Sequence, residues 1–314
     1  MRIPLAVPAG RTLDVLAVGL NSIDLLAVVD GHPAANAKMQ MQGYAELPGG
    51  QSASAAAALA RLGLRTRYIG RVGDDDFGRR GLESLRAEGV DVSHVVTVPG
   101  ATSQFAVILV DRQSGSRTVV WNRHPGLAMS PADVPADDVR AARILLVDCH
   151  ETAAVAAAAA EARRGGTRTV VDVERVRPGI DGLLRHIDVI IAAEGFPVEY
   201  TGASSLGEAL ARLQRDTGAP VVCVTLGEQG SLCRAGGREF ATPAFRLPVV
   251  DSTGAGDVFR SGFIAGWLYG GDAAELEEVL RWANAVAALK CGGLGARSAC
   301  PTLAQLHAFL AGRT

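Results

Sequence analysis

The sequence predicts one α/β domain spanning residues 1–314: a mostly parallel central sheet covered by helices, with a small β-sheet lid. Three observations predict it. From Ile144 onward, strand-length apolar runs alternate with helical patterns, the rhythm of βαβ units. Leu13–Leu20 is a continuous apolar run after Asp14, as expected of a strand buried on both faces. In the first half, two pairs of extended segments with mixed faces interrupt that rhythm, at about 24–46 and 100–122, and supply the lid.

Leu13–Leu20 reads as the first buried strand, ending in the small and polar Gly19-Leu20-Asn21-Ser22-Ile23-Asp24. Leu25–Val29 and Lys38–Glu46 are extended lid segments, separated by a turn at Gly31-His32-Pro33. Gly49-Gly50 opens a helix over Ser52–Leu62, closed by Gly63; Arg67–Val72 is a strand and Phe77–Glu88 a helix. Gln104–Asp111 and Arg117–Asn122, joined by Gln113-Ser114-Gly115, form a hairpin. Strands then fit Ile144–Asp148, Arg168–Val173, Asp188–Ala192 and Val221–Thr225, with helices at Thr152–Arg164 and Leu206–Thr217. Helical patterns at Gly256–Leu268, Ala274–Leu289 and Leu303–Leu310 complete the chain.

Composition excludes several classes. Lys plus Arg is 31 and Asp plus Glu 33, a net charge of −2, too balanced for a general nucleic-acid binder. No run approaches the ~20 apolar residues of a membrane span, and the N-terminal stretch is broken by Pro4 and Pro8 before a signal-peptide core can form. Five cysteines without C-x-x-C spacing read as reduced thiols of a cytoplasmic protein. The scattered histidines lack the spacing of a zinc site. Lys38 and Lys290 are the only lysines, and neither stands in a Gly-Lys-Ser/Thr phosphate loop or a protein-kinase context. A dinucleotide fold would need G-x-G-x-x-G after the first strand, whereas no glycine follows Gly19 until Gly31.

The sharpest motif is Asp251-Ser252-Thr253-Gly254-Ala255-Gly256-Asp257-Val258-Phe259, after apolar Leu247–Val250 and at the start of a helix. Small residues at 254–256 let successive N–H groups converge at a helix N-terminus and hold an anion without any lysine. Asp257, on the first turn beside that anion, suits taking a proton from an alcohol that attacks a phosphoryl group.

This string resembles the C-terminal signature D-T-x-G-A-G-D-x-F of the ribokinase-like (PfkB) carbohydrate kinases. Pro48-Gly49-Gly50 resembles that family's N-terminal Gly-Gly signature, Val72-Gly73-Asp74-Asp75-Asp76-Phe77-Gly78 its V-G-x-D-x-x-G segment, and Val224-Thr225-Leu226-Gly227-Glu228-Gln229-Gly230 its T-L-G-x-x-G nucleotide loop. The resemblance runs over nearly the whole chain and implies a three-layer α/β/α fold with a β lid. It implies transfer of the γ-phosphoryl group of ATP, with Mg²⁺ and with K⁺ as a further ion, to a primary hydroxyl of a pentose or ketohexose. By the same resemblance Asp257 is the base and Gly254, Ala255 and Gly256 form the anion hole. Asp24 and Asn21 bind sugar, beside Gly49 and Gly50; Thr225, Gly227, Gly230 and Asn284 line the ATP site; Asp251 and Thr253 hold the monovalent cation with carbonyls around Gly292–Gly295. Lid pairing in relatives implies a homodimer.

Three positions depart from the pattern. Ser54 stands where the family's G-G-x-x-x-N has Asn, and Gln51 is an alternative amide. The N-x-x-E segment linked to Mg²⁺ is replaced, with Ala193 and Phe196 at its two positions and Glu194 as a stand-in through water; some ketohexokinase-like members lack it too. Arg260 follows Phe259 where small residues are usual, and reads as a solvent-facing helix arginine. Asn284, taken without the resemblance, reads as a surface residue. Lys38, Gln40, Gln42, Gln104 and Arg123 are lid specificity contacts or a solvated lid face, while Met39, Met41 and Tyr44 alternate with them to give an apolar side. Tyr44, Phe105 and Trp121 are the aromatic residues that a nucleoside base would need. Asp148, His150, Asp172 and Glu174 follow strand ends, where ligands of open α/β sheets bind; a lone histidine there is more often structural. Two further readings stay open: a nucleoside kinase on the same fold, and a non-catalytic sugar sensor.

Overall fold

The computed structural model describes residues 1–313. The first part of the chain forms β1 (Leu13–Val18), β2 (Ser22–Val29), β3 (Gly43–Gly49), α1 (Gln51–Arg61), β4 (Thr66–Ile69), β5 (Arg71–Gly73), α2 (Asp76–Ala87), β6 (Val96–Val98), β7 (Phe105–Asp111) and β8 (Arg117–Asn122). The middle forms α3 (Ala136–Ala141), β9 (Ala142–Asp148), α4 (Thr152–Gly165), β10 (Arg168–Val173), α5 (Ile180–Leu184), β11 (Val189–Ala193), α6 (Phe196–Thr201), α7 (Leu206–Thr217) and β12 (Val221–Thr225). It ends with β13 (Ser231–Ala235), β14 (Arg238–Thr242), α8 (Ala255–Gly270), α9 (Leu276–Lys290) and α10 (Leu303–Ala311).

Eight strands make the central sheet in the order β14-β13-β12-β11-β10-β9-β1-β4, parallel from β12 to β4 and antiparallel at β13 and β14. Successive residues of each strand feed opposite layers. Val15, Leu146, Val170 and Ile191 pack with Leu59 of α1, Phe263 and Trp267 of α8 and Val286 of α9. Leu16, Leu145, Val171 and Ile190 pack with Val155 of α4 and Leu210 and Leu213 of α7. Both faces are dry, which is why the centres of these strands are apolar. No helix among the described residues is long and apolar enough to cross a membrane.

The lid is a second sheet, β3-β2-β7-β8, with β2 parallel to β7 and the outer pairs antiparallel. Leu26, Ala106, Ile108 and Val110 form its own small core, against which Leu47 and Leu294 pack. Tyr44, Val107, Val119, Val120 and Trp121 lie exposed on the lid.

Several expectations are corrected. Only Gly43 onward is strand in the segment expected from Lys38 to Glu46. Lys38, Met39, Gln40, Met41 and Gln42 are all exposed, because without a ladder partner the chain there has no pleat to sort side chains onto two faces. The strand expected over Arg67–Val72 breaks at Gly70 into β4 and β5, and β5 pairs with β6. The β13–β14 hairpin, turning at Gly236-Gly237, extends the sheet beyond its predicted edge.

Candidate active site

The site lies beyond the carboxyl ends of β1, β9, β10 and β11, where an open parallel sheet leaves a crevice under the lid. Its floor begins with Asp148, which is buried and turned inward. Its Oδ2 accepts from the Leu20 N–H at 2.7 Å and from Ser52 Oγ at 2.8 Å. This carboxylate therefore fixes the end of β1 against the start of α1 and does not face the cleft. The His150 main-chain N–H donates to the other oxygen of that carboxylate, Oδ1, at 3.2 Å; its ring Nε2 lies 3.3 Å from Arg177 Nη2, and the ring meets the edge of Trp121 with centroids 6.5 Å apart. Burial pulls its pKa below the ordinary histidine value.

The sugar-side residues do converge. Asp24 is buried at the base of the lid, with Ser22 Oγ donating to its Oδ1 at 2.9 Å. Desolvation raises its pKa to about 6 against the pull of Arg297. A Cβ at Gly49 would lie 2.1 Å from Asp24 Oδ2, and one at Gly50 2.6 Å from the Asn21 Cα, so only glycine lets β3 pass this close. Asn21 Nδ2 and both amide atoms of Gln51 are buried without a partner among the described residues. Unsatisfied buried amides are costly unless a ligand completes them.

Ser54 is corrected as a free sugar contact: its Oγ accepts from Arg297 Nε at 3.2 Å. Arg297, which sequence reasoning missed, is buried and also donates to Ser84 Oγ at 2.9 Å, to Asn21 Oδ1 at 3.2 Å and to the Gly49 carbonyl. Burial lowers its pKa to about 10, with Asp24 opposing. A basic residue just past the glycines of 292–295 was the available signal.

On the phosphate side, Gly254 starts α8 at φ +77°, and a Cβ there would meet Ala296 Cβ at 2.7 Å. The N–H groups of Gly254 and Gly256 have no acceptor among the described residues, as expected at a helix start. The Ala255 N–H is different from expectation: it donates to the Ser252 carbonyl at 3.1 Å, closing a turn and leaving the hole. Asp257 is half-buried on the first turn of α8. Its pKa is pushed up to about 7, chiefly by desolvation, with Arg260 and Arg117 lowering it and Glu174 and Asp24 raising it.

Arg260 is not solvent-facing. It is buried under that turn, paired with buried Asp172 and donating to the Ile191 carbonyl at 3.2 Å. Helix periodicity places residue 260 one turn below 256, and β10 supplies the carboxylate that lets it stay there. Arg117, also missed, reaches down from the lid, its Nη1 donating to Ser252 Oγ at 3.2 Å. Ser252 Oγ in turn donates to the Gly115 carbonyl at 3.1 Å, so the tip of the β7–β8 hairpin is tied to the loop before α8.

Thr225, Gly227 and Gly230 sit together at the end of β12. Asn284 is buried beside them, not solvated, with its Nδ2 donating to Ser231 Oγ and the Leu280 carbonyl, both at 3.0 Å. Glu194 is exposed in the turn after β11, and Phe196 is fully buried, its ring 5.6 Å from Tyr200. No group of three His, Cys, Asp or Glu among the described residues is placed to hold a metal ion. Gln104 and Arg123 are not on a solvated lid face: Gln104 is buried, and Arg123 pairs with Glu151 at 2.6 Å and donates to Gln104 Oε1 at 3.2 Å at the root of the lid. Phe105 packs against Phe77, leaving Tyr44 and Trp121 as the exposed lid aromatics.

The family model described as pfkB family carbohydrate kinase matches residues 12–303. The chain is 32% identical over 300 residues to an ATP-dependent ribose-1-phosphate kinase of Halopiger xanaduensis, covering 95% of this chain and 98% of that protein. It is 27% identical over 300 residues to the ribokinase of Bacillus subtilis, covering 95% and 99%. Among solved structures, Arabidopsis thaliana ribokinase complexed with ribose and ATP superposes with a TM-score of 0.79 at 26% identity, over 95% of this chain and 98% of that one. Adenosine kinase from Sinorhizobium meliloti gives 0.81 at 25%, over 96% and 99%. Fold, motif order and these likenesses agree that the chain belongs to the pfkB family of carbohydrate kinases.

Proposed function

We propose that this sugar kinase transfers the γ-phosphoryl group of MgATP to a primary hydroxyl of a pentose or ketohexose, with Asp257 as the base. The observation that carries the reading is Asp257 on the first turn of α8, beside the unpaired N–H groups of Gly254 and Gly256 and within electrostatic reach of Asp24. Asp24, Asn21 and Gln51 hold the sugar hydroxyls. The sugar oxygen forms a bond to the γ-phosphorus as the bond to the β,γ-bridging oxygen breaks. ADP leaves, and the hydroxyl proton passes to the Asp257 carboxylate. The N–H groups and Arg117 stabilise charge on the transferring group. Thr225, Gly227 and Gly230 line the nucleotide site, with Asn284 shaping its wall.

Mg²⁺ fits as an ion carried on the nucleotide phosphates and water, because no group of three His, Cys, Asp or Glu among the described residues is placed to hold it and Glu194 stands exposed after β11. When bound it neutralises phosphate charge. We read the five free cysteines, four of them buried, as those of a protein of the reducing cytoplasm.

One observation favours a second acceptor class. The exposed lid residue Arg117, held over the site, would suit a sugar already carrying an anion, such as the ribose 1-phosphate in the name of the Halopiger relative. ADP release with MgATP across pentoses, ketohexoses, sugar phosphates, sugar acids and nucleosides separates the classes. A strong pentose or ketohexose signal is expected, with kcat/KM rising with pH through about 7 as Asp257 ionises. A preference for a nucleoside would replace the sugar assignment. Sugar binding without any turnover would favour a sensor.

We also propose a homodimer through the lid, supported by the exposed Val107, Val119, Val120 and Trp121 on one small sheet. Light scattering at micromolar concentration is expected to give twice the chain mass. A monomer mass refutes the pairing.

A further inference from the structure

Lys290 ends α9, and its side chain is fully buried. Its Nζ donates to the main-chain carbonyl of Asp251 at 2.8 Å. The Asp251 carboxylate is also buried. Its Oδ1 accepts from the Thr253 N–H and Oγ1 at 2.8 and 2.7 Å, and its Oδ2 from the Gly295 N–H at 2.7 Å. The Val250 N–H donates to the Cys291 carbonyl at 2.8 Å. One ammonium is thus enclosed between the loop that leads into the free N–H groups of α8 and the turn around Gly292–Gly295.

These are the residues that the family resemblance assigns to a monovalent cation, and they do not fit one here. A potassium ion among them would place a second positive charge beside a buried ammonium, and the Asp251 carbonyl already accepts from that ammonium. Burial draws the Lys290 pKa down while Asp251 supports the charged form. A buried charge without such a partner would be far too costly to keep.

We propose that the Lys290 ammonium is a built-in monovalent cation, fixing the Asp251–Gly254 loop and its positive potential so that the kinase works without potassium. The choice of residue supports it. Only two lysines occur among 31 basic side chains, so the chain uses arginine for nearly every other positive charge. A guanidinium is a wide planar fork, whereas an ammonium is a compact point charge of ionic size.

The test compares KCl with choline chloride at about 100 mM, a concentration that keeps screening equal. The readouts are melting temperature, affinity for adenylyl imidodiphosphate and sugar-dependent ADP release. The first two need no acceptor sugar, so failure to find the substrate leaves them decisive. For the wild-type protein affinity and rate are expected to agree within about twofold between the two salts, and the melting temperature is expected not to rise with KCl, since an ion that binds nowhere shifts nothing. Lys290→Met is expected to bind the nucleotide analogue about tenfold more weakly in choline and to recover in KCl or NH₄Cl, because the vacated cavity admits the ion. Wild-type melting temperature or nucleotide affinity that climbs with KCl overturns the proposal, whether or not the variant folds. A Lys290→Met protein as indifferent to KCl as the wild type, with unchanged nucleotide affinity, shows a lysine that only packs.

Discussion

Asp257→Asn is expected to lower kcat by about 10²–10⁴-fold, the range attributable to a positioned general base, while sugar and nucleotide still bind. The amide keeps the shape and the helix position but takes no proton. The same substitution is expected to stabilise the fold at neutral pH. The Asp257 carboxyl titrates near 7 in the folded protein against an ordinary 3.8, so the native state holds its proton more tightly than the unfolded chain does. Wild-type stability therefore falls as pH rises between those two values and is lowest, for this group, above the folded one. The Asn variant escapes that penalty. Its melting temperature is expected to exceed the wild type by about 3 °C at pH about 8 and to converge with it near pH about 4. Steady-state kinetics with the identified sugar and melts at the two pH values check both halves. More than about a tenth of wild-type turnover in the variant would remove Asp257 from the base role.

Arg260→Met is expected to cost about 3 kcal/mol of folding stability, since it strands one member of a buried ion pair. The buried Asp172 loses both its partner and the field that opposes its desolvation. Desolvation already raises the Asp172 carboxyl well above its ordinary value, so without Arg260 it escapes by taking up a proton, and the loss grows as pH rises. Arg260→Met with Asp172→Asn is expected to recover most of the stability, because neither charge is left unpaired. Urea denaturation of the two single variants and the double variant gives the coupling directly. A single variant within about 0.5 kcal/mol of wild type would mean that the pair contributes nothing. Activity should fall as well: a Cβ on Gly256 would lie 2.7 Å from Arg260 Nη1, so this guanidinium is the floor on which the anion hole rests.

What was legible in the sequence was whatever a local pattern determines. The apolar runs at 13–20, 144–148 and 221–225 must be strands buried on both faces, and the small residues of 254–256 must open a helix with free donors. Asp24 and Asp257 follow from those strand and helix ends. Arg260 was misread because a helical arginine reads as solvated until the fold brings Asp172 of another strand beneath it. Arg297 and Asn284 were hidden for the same reason, their partners being scattered over α1, α2 and β13. The β13–β14 hairpin was missed although Gly236-Gly237 marks its turn, since Arg234 and the exposed Arg238 and Glu239 blur the alternation of an edge.

The tie between Gly115, Ser252 and Arg117 has a consequence for timing. A lid that swings away breaks both hydrogen bonds to Ser252, and with them the restraint on the loop that leads into the free N–H groups of α8. Whenever the cleft is open to bulk solvent, the machinery that would hand a phosphoryl group to a stray water molecule is therefore out of tune. Thrift with ATP is thereby tied to a three-residue knot: the lid position that shuts water out is the one that holds the donor loop in place.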